Sequence, residues 1–370
     1  MRVVDSQLQW KTDNVPTKRN DIQWLRALAA AEVMIWHSDL VTKGFSSFRI
    51  HESFYAPLGG IGVELFFILS GYIICMQAPT YKSGGAFLLS RFYRLLPLYW
   101  IFTTLVIVAY FSNPNWKLHG LTLDPATVIK SYLVFPQKTD PILGLGWTLE
   151  FEMIFYVMVA LAMVAFVLNY HLKIAVALLL CGLAFLGFLF GTGPSKRAWD
   201  YQLISPYLLA FGFGWLKRVM DEHGGLQQNA MAAGAFLIVC LASGYVADAV
   251  DFPLLGRMLL AGTVFTVVCK FRWLFEKNTS FNRLMGRIGD ASYSLYLSHW
   301  FVLSIGGKIL GRTGAPAGLD APVRVVAIVL CTAVAYGIFL FIEKPIDRYL
   351  RGNARNRPTL AADRVLPASS

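Results

Sequence analysis

The feature that most constrains this chain is a series of long apolar segments, each about as long as a lipid bilayer is thick. An α-helix rises about 1.5 Å per residue, so about 20 apolar residues cross a hydrocarbon core of roughly 30 Å. Backbone polar groups must be paired within the bilayer, which favours helices over isolated strands. The sequence therefore predicts an all-α integral membrane protein, a bundle of about ten transmembrane helices. The predicted spans cover about residues 22–40, 59–77, 95–111, 143–168, 174–192, 201–218, 230–248, 255–270, 291–310 and 323–342.

Composition and charge exclude several other classes of protein. The chain is 56% hydrophobic and only 15% charged, whereas a soluble domain carries about 25% charged residues. The net charge of +11 does not indicate a nucleic-acid partner, because the basic residues lie in short segments between spans and in the tail. The five cysteines are scattered among the apolar segments without a C-x-x-C pair, so neither a disulfide framework nor a metal site is predicted.

The distribution of basic residues also predicts the orientation of the bundle. With the N-terminus inside, about two thirds of the 33 Lys and Arg residues fall on the cytoplasmic side, as the positive-inside rule requires. Both termini are then cytoplasmic. We expect a cytoplasmic N-terminal segment (1–20), one transmembrane unit (21–348) and a disordered cytoplasmic tail (349–370). No cleavable signal peptide is expected, so the first span acts as its own insertion signal.

The first predicted span carries ionisable residues inside apolar sequence. Arg26 and His37 are eleven residues apart, almost three helical turns, so they share one face and lie roughly 16 Å apart along the axis. Ionisable groups in a span usually face a protein interior or a water-filled path. The alternative is an arginine that extends to the membrane surface and an interfacial histidine.

Two arginines lie just before the third predicted span. Arg91 and Arg94 are three residues apart and are neighbours on a helix surface at the predicted cytoplasmic end. Guanidinium groups bind phosphate oxygens through two parallel hydrogen bonds, so the pair suits a phosphate-rich ligand. An anchor to anionic lipid headgroups is the alternative for an arbitrary membrane protein.

Further polar side chains occur in the second and fourth predicted spans. The second span contains Glu64 and Ser70 among glycines that allow close helix packing. The fourth opens with Trp147, followed by Glu152 and Tyr156, which are four residues apart and share a face. A carboxylate there suits proton transfer or the binding of a cation, and the structural alternative is an ion pair with one of the membrane arginines.

The ninth predicted span contributes a polar stripe. Ser292, Tyr296 and His299 follow a spacing of four and then three residues, so they lie on one face, whereas Tyr293 is expected to point elsewhere. Such a stripe can line a substrate channel, or it can tie helices together through hydrogen bonds.

Taken together, these motifs resemble the membrane-bound acyltransferase-3 family, in particular its exopolysaccharide O-acetyltransferases. The resemblance extends from Asp21 to about Arg348. The motifs that carry it are R-x10-H from Arg26 to His37, GVELFFILSG, RFYR, WTLEFEMIFY, SYSLYLSH and Glu343-x-Pro345.

The resemblance implies an enzyme of the bacterial inner membrane that crosses it several times. Its acyl donor would be acetyl-CoA from the cytoplasm, and its acceptor a hydroxyl of a polysaccharide or a lipid-linked oligosaccharide. His37 would be the general base, or form an acyl intermediate, and Glu152 would orient or charge-tune His37 or stabilise the sugar. The donor would contact Arg26, Arg91, Arg94 and Ser70. The substrate cavity would be lined by Trp147, Tyr156, Tyr296 and His299.

Two other functions fit parts of the pattern. A transporter of polysaccharide or lipid-linked sugar, without catalysis, would explain the spans and the charges within them, but gives Arg91 and Arg94 no specific task. A haem protein would use His37 and His299 as axial ligands.

Overall fold

A computed structural model describes residues 19–50, 60–112, 123–165, 168–190, 202–222, 253–313 and 316–355, and all structural statements concern these residues. Within them the regular structure is helical throughout. The α-helices are α1 (Asn20–His37), α2 (Asp39–Thr42), α3 (Gly62–Gln77), α4 (Gly84–Ser112), α5 (Pro125–Leu133), α6 (Trp147–Ala165), α7 (Tyr170–Leu189), α8 (Tyr207–Glu222), α9 (Pro253–Lys270), α10 (Arg272–Glu276), α11 (Ser280–Asp290), α12 (Ser292–Leu310), α13 (Asp320–Ile338) and α14 (Lys344–Arg355).

Several of these helices are long and apolar enough to cross a bilayer, as expected for a multi-pass membrane protein. In the described part of the chain, five segments meet this description by length and composition: Gly62–Thr80, Gly84–Ser112, Gly144–Val164, Tyr170–Gly187 and Ala317–Leu350. The prediction of an all-helical protein is confirmed for the described residues. The predicted span at 230–248 lies outside them, and the count of ten and the orientation of the termini stay predictions.

Helix α3 lies at the centre of the bundle, because glycines let neighbouring backbones approach it closely. A Cβ atom at Gly71 would lie 2.1 Å from the carbonyl oxygen of Phe211, and one at Gly214 only 1.9 Å from that of Ile68. Any side chain at either position would separate α3 from α8. The predicted role of the glycines in the second span as a packing seam is therefore confirmed here.

Helix α4 is longer than the apolar segment that predicted it. The predicted span began near residue 95, but the helix begins at Gly84 and continues to Ser112. Its first turns bury Phe87 and Arg91, so the interior of the bundle holds them helical beyond the apolar run. Further along, large apolar side chains such as Phe111 are exposed, as expected of a surface that faces lipid.

The C-terminal end of the bundle contains an irregular turn. Residues Phe339–Glu343 form a π-helix between α13 and α14, and Glu343 is buried at its end. Such π-helical turns are rare and often occur at functional sites. Helix α14 then continues to Arg355, so the first part of the predicted disordered tail is helical.

Candidate functional site

A large cavity extends into the bundle between α1, α3, α4, α6, α12 and the π-helical turn. Its volume of about 850 Å³ lies within the range of ligand-binding pockets in general. Predicted site residues that line it are Arg26, Ser70, Arg91, Arg94, Glu152, Tyr156 and Tyr296. These residues come from five helices and are up to 270 positions apart, so folding brings together most of the set that the sequence indicated.

Cationic side chains outnumber acidic ones in the lining. The cationic residues are Arg19, Arg26, Arg91, Arg94, Arg272 and Lys344. The acidic residues are Glu152, Asp290, Glu343 and Asp347. The surplus of positive charge would attract an anionic ligand. Sequence reasoning did not assign Arg19, Arg272 or Lys344 to the site, because each lies beyond the end of an apolar segment and reads as a membrane anchor.

Two of the predicted donor-binding arginines have neutral partners. The Nη2 atom of Arg91 donates to Tyr81 Oη at 2.7 Å and to Gln77 Oε1 at 3.1 Å. Its Nε atom is buried without a hydrogen-bond partner among the described residues. Arg26, half-buried, donates to Gln23 Oε1 over a long distance of 3.4 Å. Neither guanidinium is bound to a carboxylate in the ion pairs of the described chain, so both can take a ligand's negative charge.

Arg19 at the start of α1 is bound differently. It donates to both carboxylate oxygens of the buried Asp21 and to the Tyr72 hydroxyl. Burial opposes its charged form, but the hydrogen bonds and charge of Asp21 outweigh burial and raise the pKa of Arg19. Much of its charge is therefore already neutralised, although the residue lines the cavity.

A carboxylate in the cavity wall accepts hydrogen bonds from two hydroxyl groups. Ser70 Oγ donates to Glu152 Oε1 at 2.5 Å, and the Tyr156 hydroxyl donates to the same oxygen. These bonds join α3 to α6. The prediction that Glu152 and Tyr156 share a face is confirmed, but the hydrogen bonds of Glu152 go to hydroxyls rather than to His37.

A second carboxylate of the cavity lining, that of Glu343, is buried. Ser294 Oγ donates to Glu343 Oε2 at 2.5 Å, and this bond joins α12 to the π-helical turn. Tyr293, which was expected to point away from the polar stripe, also lines the cavity, and its hydroxyl donates to the Leu95 carbonyl oxygen at 2.7 Å. The polar residues of α12 therefore cover a wider part of the helix surface than the spacing of four and then three residues indicated.

Tyr296 lines the cavity and also lies near a pair of histidines. Its hydroxyl is hydrogen-bonded to Thr148 Oγ1 at 2.8 Å and donates to the Leu145 carbonyl oxygen at 3.1 Å. The ring lies 6.1 Å from the ring of His299, centroid to centroid. Neither His37 nor His299 is among the described residues that line the cavity, so His299 departs from its predicted place in the lining.

His37 and His299 are hydrogen-bonded to each other, which no sequence spacing predicted. His37 Nδ1 and His299 Nε2 are 3.1 Å apart, and their rings are stacked with centroids 5.2 Å apart. His299 is fully buried, and its Nδ1 lies 3.1 Å from the Leu295 carbonyl oxygen. A carbonyl only accepts, so Nδ1 of a neutral His299 carries the proton and its Nε2 accepts one from Nδ1 of His37. The Nε2 atom of His37 then keeps a free lone pair.

Two further residues that the sequence singled out, Trp147 and Glu64, lie elsewhere in the bundle. Trp147 packs against Phe151 and Tyr207 at 6.0 and 5.5 Å between ring centroids, outside the cavity lining. Glu64 of the second predicted span accepts a hydrogen bond from Arg257 Nε at 3.1 Å.

In the described ranges, no three His, Cys, Asp or Glu side chains come together in a way that could hold a metal ion. The residues that the sequence singled out instead form two groups. One is the cationic cavity, and the other is the histidine pair near Tyr296.

Comparison with known proteins identifies a matching family model and several relatives. A family model described as an acyltransferase domain, that of the acyltransferase-3 family, matches residues 19–341. The exopolysaccharide production protein ExoZ of Rhizobium meliloti is 28% identical over 320 residues, covering 80% of this chain and 92% of ExoZ. No solved structure matches the chain.

Two other relatives bear names that describe acyl transfer. The peptidoglycan O-acetyltransferase OatA of Listeria monocytogenes is 27% identical over 88% of this chain, which spans only 55% of OatA. A putative membrane-bound transacylase of Komagataeibacter xylinus, BcsY, is 25% identical over 79% of this chain and 76% of its own length.

Proposed function

Because this chain belongs to the acyltransferase-3 family, we propose that it is a membrane O-acyltransferase that moves an acetyl group from acetyl-CoA to a hydroxyl of an exported or cell-surface polysaccharide. The observation that carries the proposal is the cavity with Arg26, Arg91 and Arg94 in its wall, next to the His37–His299 pair. The names of ExoZ and OatA support a glycan acceptor.

The donor binds with its phosphates against the arginines. Arg91 and Arg94 offer guanidinium forks, the geometry that binds phosphate oxygens in pairs. Arg26 adds a third charge on the facing helix. The lining beyond them is mainly apolar and aromatic, which suits the pantetheine arm and the thioester, whereas bulk water would favour hydrolysis.

The acceptor hydroxyl reacts beside His37. Its proton passes to Nε2 of His37 as the hydroxyl oxygen attacks the thioester carbonyl carbon. The new C–O bond forms, the C–S bond breaks, and the imidazolium returns its proton to the departing CoA thiolate. His299 accepts the Nδ1 proton of His37 in a hydrogen bond, which holds the ring in the tautomer that a base requires.

Glu152 acts within the cavity rather than on His37. Its carboxylate holds the hydroxyls of Ser70 and Tyr156 in place, and these groups face the path of the donor. Tyr296 lines the cavity near the histidines, so its ring must shift for the thioester to reach the acceptor. Its hydroxyl is then released from Thr148 and can donate to the thioester carbonyl oxygen.

The proposed orientation places the N-terminus in the cytoplasm of a bacterium, with the protein in the inner membrane. Arg26 lies in the first half of α1, and His37 ends the same helix roughly 16 Å away by helical rise. The cavity arginines then face the cytoplasm, where acetyl-CoA is found, and His37 lies towards the side of the exported glycan.

His37→Ala is the direct test of this mechanism. We expect transfer of radiolabelled acetyl from acetyl-CoA to an exopolysaccharide acceptor to fall about 1,000-fold in purified protein, as for the loss of a general base. Acetyl-CoA should still bind, because His37 lies outside the donor cavity. The melting temperature should fall slightly, because the buried His299 loses its hydrogen bond to His37, but the amount of folded protein should match the wild type.

His171→Ala is the matched control, because His171 lies on α7, away from the paired histidines, and should leave transfer unchanged. Transfer retained in His37→Ala would exclude His37 as the base. Binding of acetyl-CoA without any release of CoA thiol, across a panel of glycan acceptors, would favour the transporter. A Soret absorption band in purified protein would favour haem.

A further inference from the structure

The end of α1 is held by one buried arginine from α13. The Nη1 atom of Arg324 donates to Ser38 Oγ and to Asp39 Oδ1, both at 2.7 Å. Its Nη2 atom donates to Thr42 Oγ1 at 2.7 Å and to the Phe48 carbonyl oxygen at 3.2 Å. Asp320, one turn earlier on α13, accepts from Nε at 2.6 Å. Arg324 is only 7% exposed, so its hydrogen bonds are largely shielded from solvent.

Three of these partners lie in the turn that directly follows His37. Helix α1 ends at His37, Ser38 bonds back to the Ile35 carbonyl oxygen at 2.6 Å, and α2 begins at Asp39. The backbone position of His37 is therefore set by a turn whose side chains are bound to one guanidinium. A shift of Arg324 would move that turn, and the imidazole with it.

The same helix also contacts the second histidine. Cys331 Sγ lies 3.9 Å from the carbonyl oxygen of His299, two turns along α13 from Arg324. Helix α13 thus contacts side chains that directly follow His37 at the end of α1 and the backbone carbonyl of His299 in the middle of α12. It is placed to fix the distance between His37 and His299.

We propose that Arg324 is a positioning residue that holds the imidazole of His37 in register with His299, by binding the Ser38–Thr42 turn to α13. This inference rests on the proposed role of His37 as the base. Arg324 itself touches neither substrate, because all its polar hydrogens are directed at groups of the protein. Only a guanidinium has enough donors in a rigid plane to bind two carboxylates, two hydroxyls and a carbonyl at once.

The test uses two graded variants of the full-length protein in lipid nanodiscs. Arg324→Lys keeps the charge and loses the planar set of donors, whereas Ser38→Ala removes a single hydrogen bond beside His37. We expect kcat to fall about tenfold or more in Arg324→Lys and less in Ser38→Ala, because small misplacements of a catalytic group are costly. The KM for acetyl-CoA should stay unchanged, since the donor cavity is lined by other residues.

Activity is expressed per donor-binding site, with the sites counted by titration with acetyl-CoA. This separates loss of positioning from loss of folded protein. Lys173→Met is the matched control: it breaks a similarly buried ion pair, Lys173 to Glu222 at 2.7 Å between α7 and α8, and should leave kcat per site unchanged.

Two results would overturn the inference. One is a kcat per site within about twofold of the wild type in both variants. The other is a loss of donor-binding sites that accounts for the whole loss of activity, which would make Arg324 a structural brace only. If His37→Ala is inactive while both variants are fully active, this inference fails and the proposed function stands. If His37→Ala is active, the base assignment itself fails.

Discussion

Two buried arginines in this protein, Arg324 and Arg91, differ in how far the fold neutralises their charge. Arg324 binds the carboxylates of Asp39 and Asp320 and three further acceptors, so its charge is neutralised within the fold. Among the described residues, the hydrogen bonds of Arg91 go to the neutral Gln77 and Tyr81, and its Nε atom has no hydrogen-bond partner.

This difference in bonding distinguishes an arginine with a structural role from one that can bind a ligand. A guanidinium bound to carboxylates stabilises the helices that carry them, and it has little left to offer a ligand. A guanidinium held by an amide and a hydroxyl is oriented but not neutralised, so it can complete its interactions with phosphate. Inside one bundle, the same residue type therefore supports the base at one place and offers charge to the donor at another.

The largest expected contrast is in stability. Arg324→Met leaves Asp39 and Asp320 without their cation, so the free energy of unfolding should fall by about 3 kcal/mol. Arg91→Met leaves no carboxylate unpaired and should cost about 1 kcal/mol. Reversible unfolding in mixed micelles measures both. Equal losses would show that the two arginines do not differ as argued.

The next effect is on donor affinity. In the double variant Arg91→Gln with Arg94→Gln, the Kd for acetyl-CoA should rise about 100-fold, as two charge-assisted hydrogen bonds of about 1.5 kcal/mol each would give. Titration calorimetry measures the Kd. Lys82→Gln, an exposed cation just before α4, is the control and should bind normally. An unchanged Kd in the double variant would return both arginines to the role of lipid anchors.

A smaller effect is expected at Arg26. Its only hydrogen bond in the described chain is the long one to Gln23, so Arg26→Met should not lower the free energy of unfolding. The KM for acetyl-CoA should nevertheless rise about fivefold, as the loss of a weaker electrostatic contact would give. Steady-state kinetics and thermal unfolding of the same preparation test both statements. A fall in the free energy of unfolding with an unchanged KM would show that Arg26 has a structural role, like Arg324, and does not bind the donor.

Added salt should have the smallest effect, and it should weaken donor binding at the cavity arginines without changing the Arg324 ion pairs. Raising the ionic strength from about 0.05 to about 0.5 M screens charges that face an open cavity, so the KM for acetyl-CoA should rise about two- to threefold. The Arg324 ion pairs are nearly closed to solvent, and the melting temperature should hardly change. A parallel change in the KM and the melting temperature would show that the Arg324 ion pairs are as open to salt as the cavity arginines.

Much of the candidate site was predictable from the sequence, because polar residues are rare in apolar segments and each one is noticeable. Arg26, Ser70, Arg91, Glu152 and Tyr296 were all singled out in this way. The cavity residues Arg272 and Lys344 were not, because cations at the ends of spans are common and are indistinguishable from anchors without the fold.

The sequence by itself determined the class of fold and the position of the long apolar helices, since apolar length and helical period are local properties of the chain. It also determined which residues share a helix face, as with Glu152 and Tyr156. Only the tertiary structure decided which faces meet. His37 pairs with His299 across 262 positions, Ser70 with Glu152, and Arg324 with the turn after His37. A helical period fixes the direction of a side chain around its own axis, but not which neighbouring helix lies there, because that depends on the packing of the whole bundle.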